Sequence, residues 1–211
     1  MTDVTLYDYW QSSASYRLRI ALNLAKIPYR AVSVDLIARD QKSASHLARN
    51  PQGLVPVLEI DGHRFSQSLA ILDYLDETRA LGLLPQDPAQ RAKVRALAQC
   101  VAIDVHPVCN FSVAQYAVQQ SGRETSRTDW MQQFISPGLA AFEALLSDFN
   151  QSPFCTGSAP TLADICLIPQ VYNARRWDVD FGSCRKIRSV EIACATHPAF
   201  DAAHPDQVKP D

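Results

Sequence analysis

The chain has 211 residues, 47% apolar and 20% charged, with a formal net charge of -2 at pH 7. That is an ordinary globular balance, with ample core for one large domain or two small ones. So small a charge offers no electrostatic case for nucleic acid or an anionic membrane, and no apolar run is long enough to span a bilayer.

"VTLYDY" (4–9) reads as a strand. It leads through Ser12, Ser13 and Ser15 into a helix over 15–26, with Leu18, Ile20, Ala21, Leu22, Leu24 and Ala25 on a broad apolar face. "YRAVSVDL" (29–36) is a second strand, and 43–49 a short helix. "PVLEI", "DG" and "HRF" form a hairpin, because Asp-Gly supplies the positive φ of a tight turn. "SQSLAILDYLDETR" (66–79) is a helix opened by Ser66. The order is β-α-β-α-β-β-α.

Gly82, Pro85 and Pro88 then punctuate "ALGLLPQDP" (80–88). The spacing predicts a first domain over 1–81, a linker over 82–87 and an all-helical domain over 88–211. Within the latter, a long helix is expected over 88–119, bent at Pro107. A second helical region over 124–149 is broken or kinked at Pro137. Further helices are expected over 161–175 and 188–195, and the tail "HPDQVKPD" is read as irregular. Thr161 and Asp164, three apart, have the spacing of a capping box.

Six cysteines occur without a CxxC pair or a zinc-like His/Cys spacing, so no metal is expected. "MTDVTLYDYW" has no basic segment leading into an apolar one, so no signal peptide is expected. Reduced thiols and a cytosolic location follow.

Three stretches carry chemistry, and each has a plain structural reading beside it. The serine turn at Ser12 and Ser13 is a helix cap with solvated hydroxyls, or a cradle for an anion such as a thiolate, because a helix N-terminus concentrates unpaired N–H groups and a positive dipole end. Val55-Pro56, in "NPQGLVPVLEI", is a plain strand start, or a cis bond that turns the Val55 backbone outward toward a peptide-like ligand. Gln67 and Ser68 sit in the first turn of a helix already capped by Ser66, or hold an α-carboxylate.

The order of these features resembles the glutathione transferase superfamily, a thioredoxin-like βαβαββα domain followed by an all-helical one. "SSASYRLRIAL" stands where the zeta class, the maleylacetoacetate isomerases, has SSCSxRVRIAL. "NPQGLVPVLEIDG", "SQSLAILDYLDE", "DVHPVCNFSV" and "TLADICLIPQVYNARRW" are also similar to that class, and the likeness runs through nearly the whole chain. It implies that glutathione is the cofactor and binds across the first domain. Ser12 then donates to its sulfur with Ser13 alongside, Val55 and Pro56 present the backbone to the cysteinyl part, Gln67 and Ser68 hold the γ-glutamyl carboxylate, and Gln41 reaches the glycine end. His106 and Asn110, four apart on one helix face, turn toward glutathione.

The resemblance implies cis–trans isomerisation of maleylacetoacetate, a carboxylate substrate that calls for cations. Arg176 matches the family arginine and is favoured over its neighbour Arg175. Gln11 stands where many relatives have an arginine, Ser112 where some bacterial ones do, and Ala14 replaces a cysteine. Maleylpyruvate as substrate, a broader transferase acting on small α-halo acids, and a non-catalytic binding protein are the alternatives. A homodimer is implied as well.

Overall fold

The computed structural model describes residues 4–121, 126–150 and 152–210. The chain divides into two compact units, residues 1–81 with 197–211, and residues 82–196.

In the first unit β1 (Thr5–Asp8), β2 (Arg30–Ser33), β3 (Val57–Ile60) and β4 (His63–Ser66) form one sheet in the order β2-β1-β3-β4. β1 and β2 are parallel, joined by the crossover helix α1 (Ser13–Leu24), while β1–β3 and β3–β4 are antiparallel. The β3–β4 turn has Asp61 at φ 54 and Gly62 at φ 76, the paired positive angles expected of Asp-Gly. α1 buries Leu18, Ile20, Ala21 and Leu22 completely. A 3-10 turn (Asp40–Lys42) and the short α2 (Ala44–Leu47) follow β2.

α3 (Ser68–Arg79) begins two residues later than predicted. Ser66 is not its cap. It ends β4, paired with Val57, and Gln67 takes the cap position with φ 69 and ψ 106. Strand pairing claims Ser66 for the sheet, so the turn into the helix falls on Gln67.

The C-terminal segment, expected in the helical domain, belongs to the first unit. It contains α9 (Pro198–Asp201) and α10 (Pro205–Val208), so the tail is not irregular throughout. Arg19, fully buried on α1, explains its anchoring. Its Nη1 meets both Asp8 carboxylate oxygens at 2.8 Å, its Nη2 donates to Trp10 O at 2.9 Å, and its Nε donates to Ala203 O at 3.0 Å. A buried guanidinium is tolerated only when paired and hydrogen-bonded in this way. Asn23 adds a bond to Ala199 O at 3.0 Å.

The second unit is helical: α4 (Pro88–Gln99), a π-helical segment (Cys100–Val105), α5 (Phe111–Ser121), α6 (Ser126–Leu145), α7 (Leu162–Arg176) and α8 (Arg185–Ala195). The single helix expected over 88–119 is absent. Winding loosens at Cys100, and 106–110 separate two helices, because Pro107 has no N–H to donate. Pro137, by contrast, lies inside α6 without ending it. Residues 124 and 125 of that prediction lie outside the described residues. At Gly138 a side-chain Cβ would stand 2.3 Å from Val105 Cγ2, so α6 approaches the π-helical segment as only glycine permits.

α7 starts with the expected capping box at Thr161 and Asp164. The Asp164 carboxylate accepts from Thr161 N–H at 2.8 Å, from the Thr161 hydroxyl at 2.9 Å and from Cys155 N–H at 2.8 Å.

Candidate functional site

Ser12 is the N-cap of α1, in extended conformation at φ -68 and ψ 120. Its Oγ accepts from Ser15 N–H at 3.3 Å. That contact uses a lone pair and leaves the O–H available as a donor. Ser12 is partly exposed, Ser13 is buried, and Ser15 is fully enclosed with no hydrogen-bond partner for its Oγ among the described residues. Gln11 is partly exposed just ahead of them.

The Val55-Pro56 bond is cis, at the entry to β3. The turn before it is pinned from two sides. Asn50 Oδ1 accepts from Gln52 N–H at 3.1 Å, and Asn50 Nδ2 donates to Leu54 O at 2.9 Å. Buried His46 also holds Leu54 O, through Nε2 at 3.0 Å, so Nε2 carries the proton there. Gly53, at φ 62, permits the close approach of Lys42 and the Gln41 carbonyl, which a Cβ would meet at 2.7 and 2.9 Å. Gln41 itself lies in the 3-10 turn, its Nε2 3.4 Å from Leu36 O.

Gln67 is exposed and Ser68 buried at the start of α3. A positive φ at a non-glycine residue costs about 1–3 kcal/mol, and at Gln67 it directs the chain so that the first turn of α3 opens at Ser68. The Gln67 side chain donates to Gln52 Oε1 at 2.8 Å, joining the 50–55 turn to the α3 N-terminus. The first unit thus presents two donor-rich helix ends and a pinned turn, a set suited to an anionic peptide-like ligand.

In the second unit, His106 and Asn110 do not share a helix face. They bracket the break between the π-helical segment and α5, because the winding fails at Pro107. Asn110 caps α5, its Oδ1 accepting from Ser112 N–H and the Ser112 hydroxyl, both at 3.2 Å. Arg175 and Arg176 end α7, and both are exposed. Arg175 is committed to Glu191 in a bidentate pair at 2.6 and 2.7 Å and lies over the Phe181 ring. Arg176 lies 6.0 Å from the centroids of the Tyr172 and Trp177 rings. No group of His, Cys, Asp or Glu among the described residues could hold a metal ion, and no helix there is long and apolar enough to cross a membrane.

Residues 2–77 match the family model for the glutathione S-transferase N-terminal domain, and residues 124–205 that for the C-terminal domain. The chain is 56% identical over 210 residues to the maleylacetoacetate isomerase of Rhizobium meliloti (strain 1021), covering 99% of each. The chain belongs to the glutathione S-transferase family. Among solved structures it is similar to a holo maleyl pyruvate isomerase, a bacterial glutathione S-transferase of the zeta class, with a TM-score of 0.94, 40% identity, and coverage of 98% of this chain and 99% of that one. It is also similar to the maleylacetoacetate isomerase of Anaeromyxobacter dehalogenans 2CP-1 with glutathione (GSH) bound in its active site, with a TM-score of 0.88, 42% identity, and coverage of 100% and 98%.

This glutathione S-transferase holds its candidate site with residues that the sequence reading passed over: Arg17, which touches Ser68, and Lys42, His46, Asn50 and Gln52 around the turn. Arg17 had a signal, a charge within an otherwise apolar stretch of α1 and one turn after Ser13. The others act through contacts between separate segments, which no local pattern reveals.

Proposed function

We propose that the protein is a glutathione-dependent cis–trans isomerase that converts maleylacetoacetate to fumarylacetoacetate, the step of homogentisate breakdown. The observation that carries the reading is the N-terminus of α1. There the Ser12 Oγ accepts from Ser15 N–H, and its O–H remains to donate to a sulfur anion. Ser68, at the N-terminus of α3, supplies a second anion site suited to an α-carboxylate. The donor set therefore fits a peptide thiol with a free α-carboxylate.

When bound, glutathione supplies a thiolate that adds to the cis double bond, permits rotation, and leaves, so that it is regenerated. The protein's part is to favour the anion. Lowering a free thiol's pKa of ~8.5 to ~6.5 needs about 2.7 kcal/mol of preferential stabilisation. The Ser12 hydroxyl, the α1 N–H groups and the helix dipole together supply an effect of that size. Ser13 stands beside Ser12, the Val55-Pro56 backbone faces the cysteinyl part, Gln67 and Ser68 hold the γ-glutamyl end, and Gln41 the glycine end. His106 and Asn110 complete the glutathione side. Arg176 meets a substrate carboxylate, with Gln11 as a neutral partner. Arg175 contributes less, because Glu191 already engages it.

Maleylpyruvate is the second reading. The likeness to a solved maleyl pyruvate isomerase, at a TM-score of 0.94 and 40% identity, supports it. Both acids carry two carboxylates, so the absence of arginine at Gln11 and Ser112 bears on how tightly either is held rather than on which is chosen. We also propose a cytosolic homodimer. Exposed Ile103, Phe111 and Tyr116 offer apolar surface for a subunit contact, and the free cysteines suit a reducing compartment.

The test is an absorbance assay on both acids with and without glutathione. Turnover of maleylacetoacetate only with glutathione is expected, with Ser12→Ala slower by about 10- to 100-fold, the worth of one hydrogen bond to an anion. No turnover of either acid refutes the isomerase, and a Ser12→Ala variant at full rate refutes the role of Ser12.

A further inference from the structure

Arg17 is 2% exposed, a buried charge within α1. It follows Ser13 by four residues, so the two lie on the same face of the helix. Its Nη1 donates to Ser68 Oγ at 3.2 Å, reaching from α1 to the first residue of α3. Ser13 and Ser68 are also buried, so the charge acts across a region that water does not screen.

Resting on the glutathione reading above, we propose that Arg17 is a positioning residue that makes Ser68 a donor to the ligand's α-carboxylate. A hydroxyl has one proton and two lone pairs, while a guanidinium only donates. With Arg17 N–H on a lone pair, the Ser68 O–H is directed to another acceptor. The N–H groups of the first turn of α3 have no partner within the helix, so an anion placed there meets them and the Ser68 hydroxyl together. A cation beside the positive end of the α3 dipole further raises the preference of that spot for negative charge. Arg17 does not touch the ligand; it acts through Ser68 and through its field.

The test measures binding of two ligands by calorimetry: glutathione, and the analogue with γ-aminobutyryl in place of γ-glutamyl, which lacks only the α-carboxylate. Arg17→Met is expected to weaken glutathione about tenfold, the loss of one charge-assisted hydrogen bond, and to leave the analogue unchanged. Arg17→Lys, which keeps a donor and the charge, should recover most of the loss. Combining Arg17→Met with Ser68→Ala should cost clearly less than the sum of the two single losses, since part of the Arg17 effect passes through the Ser68 hydroxyl. If Arg17→Met does not fold, the comparison is made with Arg17→Gln, which keeps a donor but loses the charge, and with Ser68→Ala; each should weaken glutathione binding and spare the analogue. Equal losses on both ligands, or no loss on glutathione, overturn the proposal while leaving the functional reading intact. A wild-type protein that binds no glutathione overturns both.

Discussion

Asp164→Ala is expected to destabilise the second unit by about 3 kcal/mol. The carboxylate is fully buried and accepts three hydrogen bonds, from Cys155 N–H, Thr161 N–H and the Thr161 hydroxyl. The hydroxyl can rotate to another partner, but the two backbone N–H groups cannot, and each stranded donor costs about 1–3 kcal/mol. That sums to about 4 kcal/mol. Burial pushes the Asp164 carboxyl above the ordinary carboxylate range, outweighing the hydrogen bonds that pull it down. Removing the charge relieves that desolvation and offsets part of this cost. Asp164→Asn should cost about 2 kcal/mol, because one amide oxygen still serves Thr161 while its NH2 faces a donor.

Urea unfolding in a Trp10→Phe background, followed by the fluorescence of Trp130 and Trp177 in the same unit, measures the loss as a shift in midpoint at constant slope. The sign of the pH dependence is fixed by the raised pKa. The folded state holds this proton more tightly than the unfolded chain, so the wild-type advantage over Asp164→Ala is largest below the unfolded pKa of about 3.9. It shrinks as pH rises through the folded value and is constant beyond it. An Asp164→Ala loss below about 1 kcal/mol, or an advantage that grows with pH, would refute the reasoning.

Gly138→Ala should destabilise by about 1–3 kcal/mol despite alanine's helix propensity, because its Cβ meets Val105 Cγ2; adding Val105→Ala should recover most of the loss in a thermal melt. Arg175→Ala should change stability by less than about 1 kcal/mol, as an exposed pair with Glu191 is worth little, and should leave turnover nearly intact. Arg176→Ala should raise KM for the acid substrate about tenfold, and the reverse ranking in steady-state kinetics would reassign the substrate cation. Burial pushes the Cys109 thiol up to about 11 and raises Cys100, Cys155, Cys184 and Cys194 as well. A thiol-reactive disulfide dye at pH 8 should therefore react slowly with the folded protein and promptly with all six cysteines in urea; fast stoichiometric labelling of the native protein would contradict that.

Much of this protein is local and was legible as such. The Asp61-Gly62 turn, the Ser12 cap and the Thr161–Asp164 box each depend on residues within three or four positions, where backbone sterics and hydrogen bonding decide the outcome. Chain order alone singled out the serine turn, the Val55-Pro56 step and the Gln67-Ser68 pair, though the start of the helix at that pair was placed two residues early, at Ser66. Proline was ambiguous from the sequence. Pro107 stands at a break and Pro137 inside a continuous helix, because the cost of one missing hydrogen bond is decided by what packs around it.

Contacts between distant segments belonged to the tertiary structure alone. Ser66 was claimed by β4 rather than by α3, since strand pairing with Val57 set the boundary. The C-terminal tail joined the first unit because Arg19 and Asn23, some 180 residues earlier, hold its carbonyls. Arg17 reads in sequence as a charge on an apolar helix, and only folding brings it to Ser68. Sequence periodicity reports which face of an element is apolar; it carries no information on which distant polar atom a buried side chain will meet, and that meeting is what shapes the site.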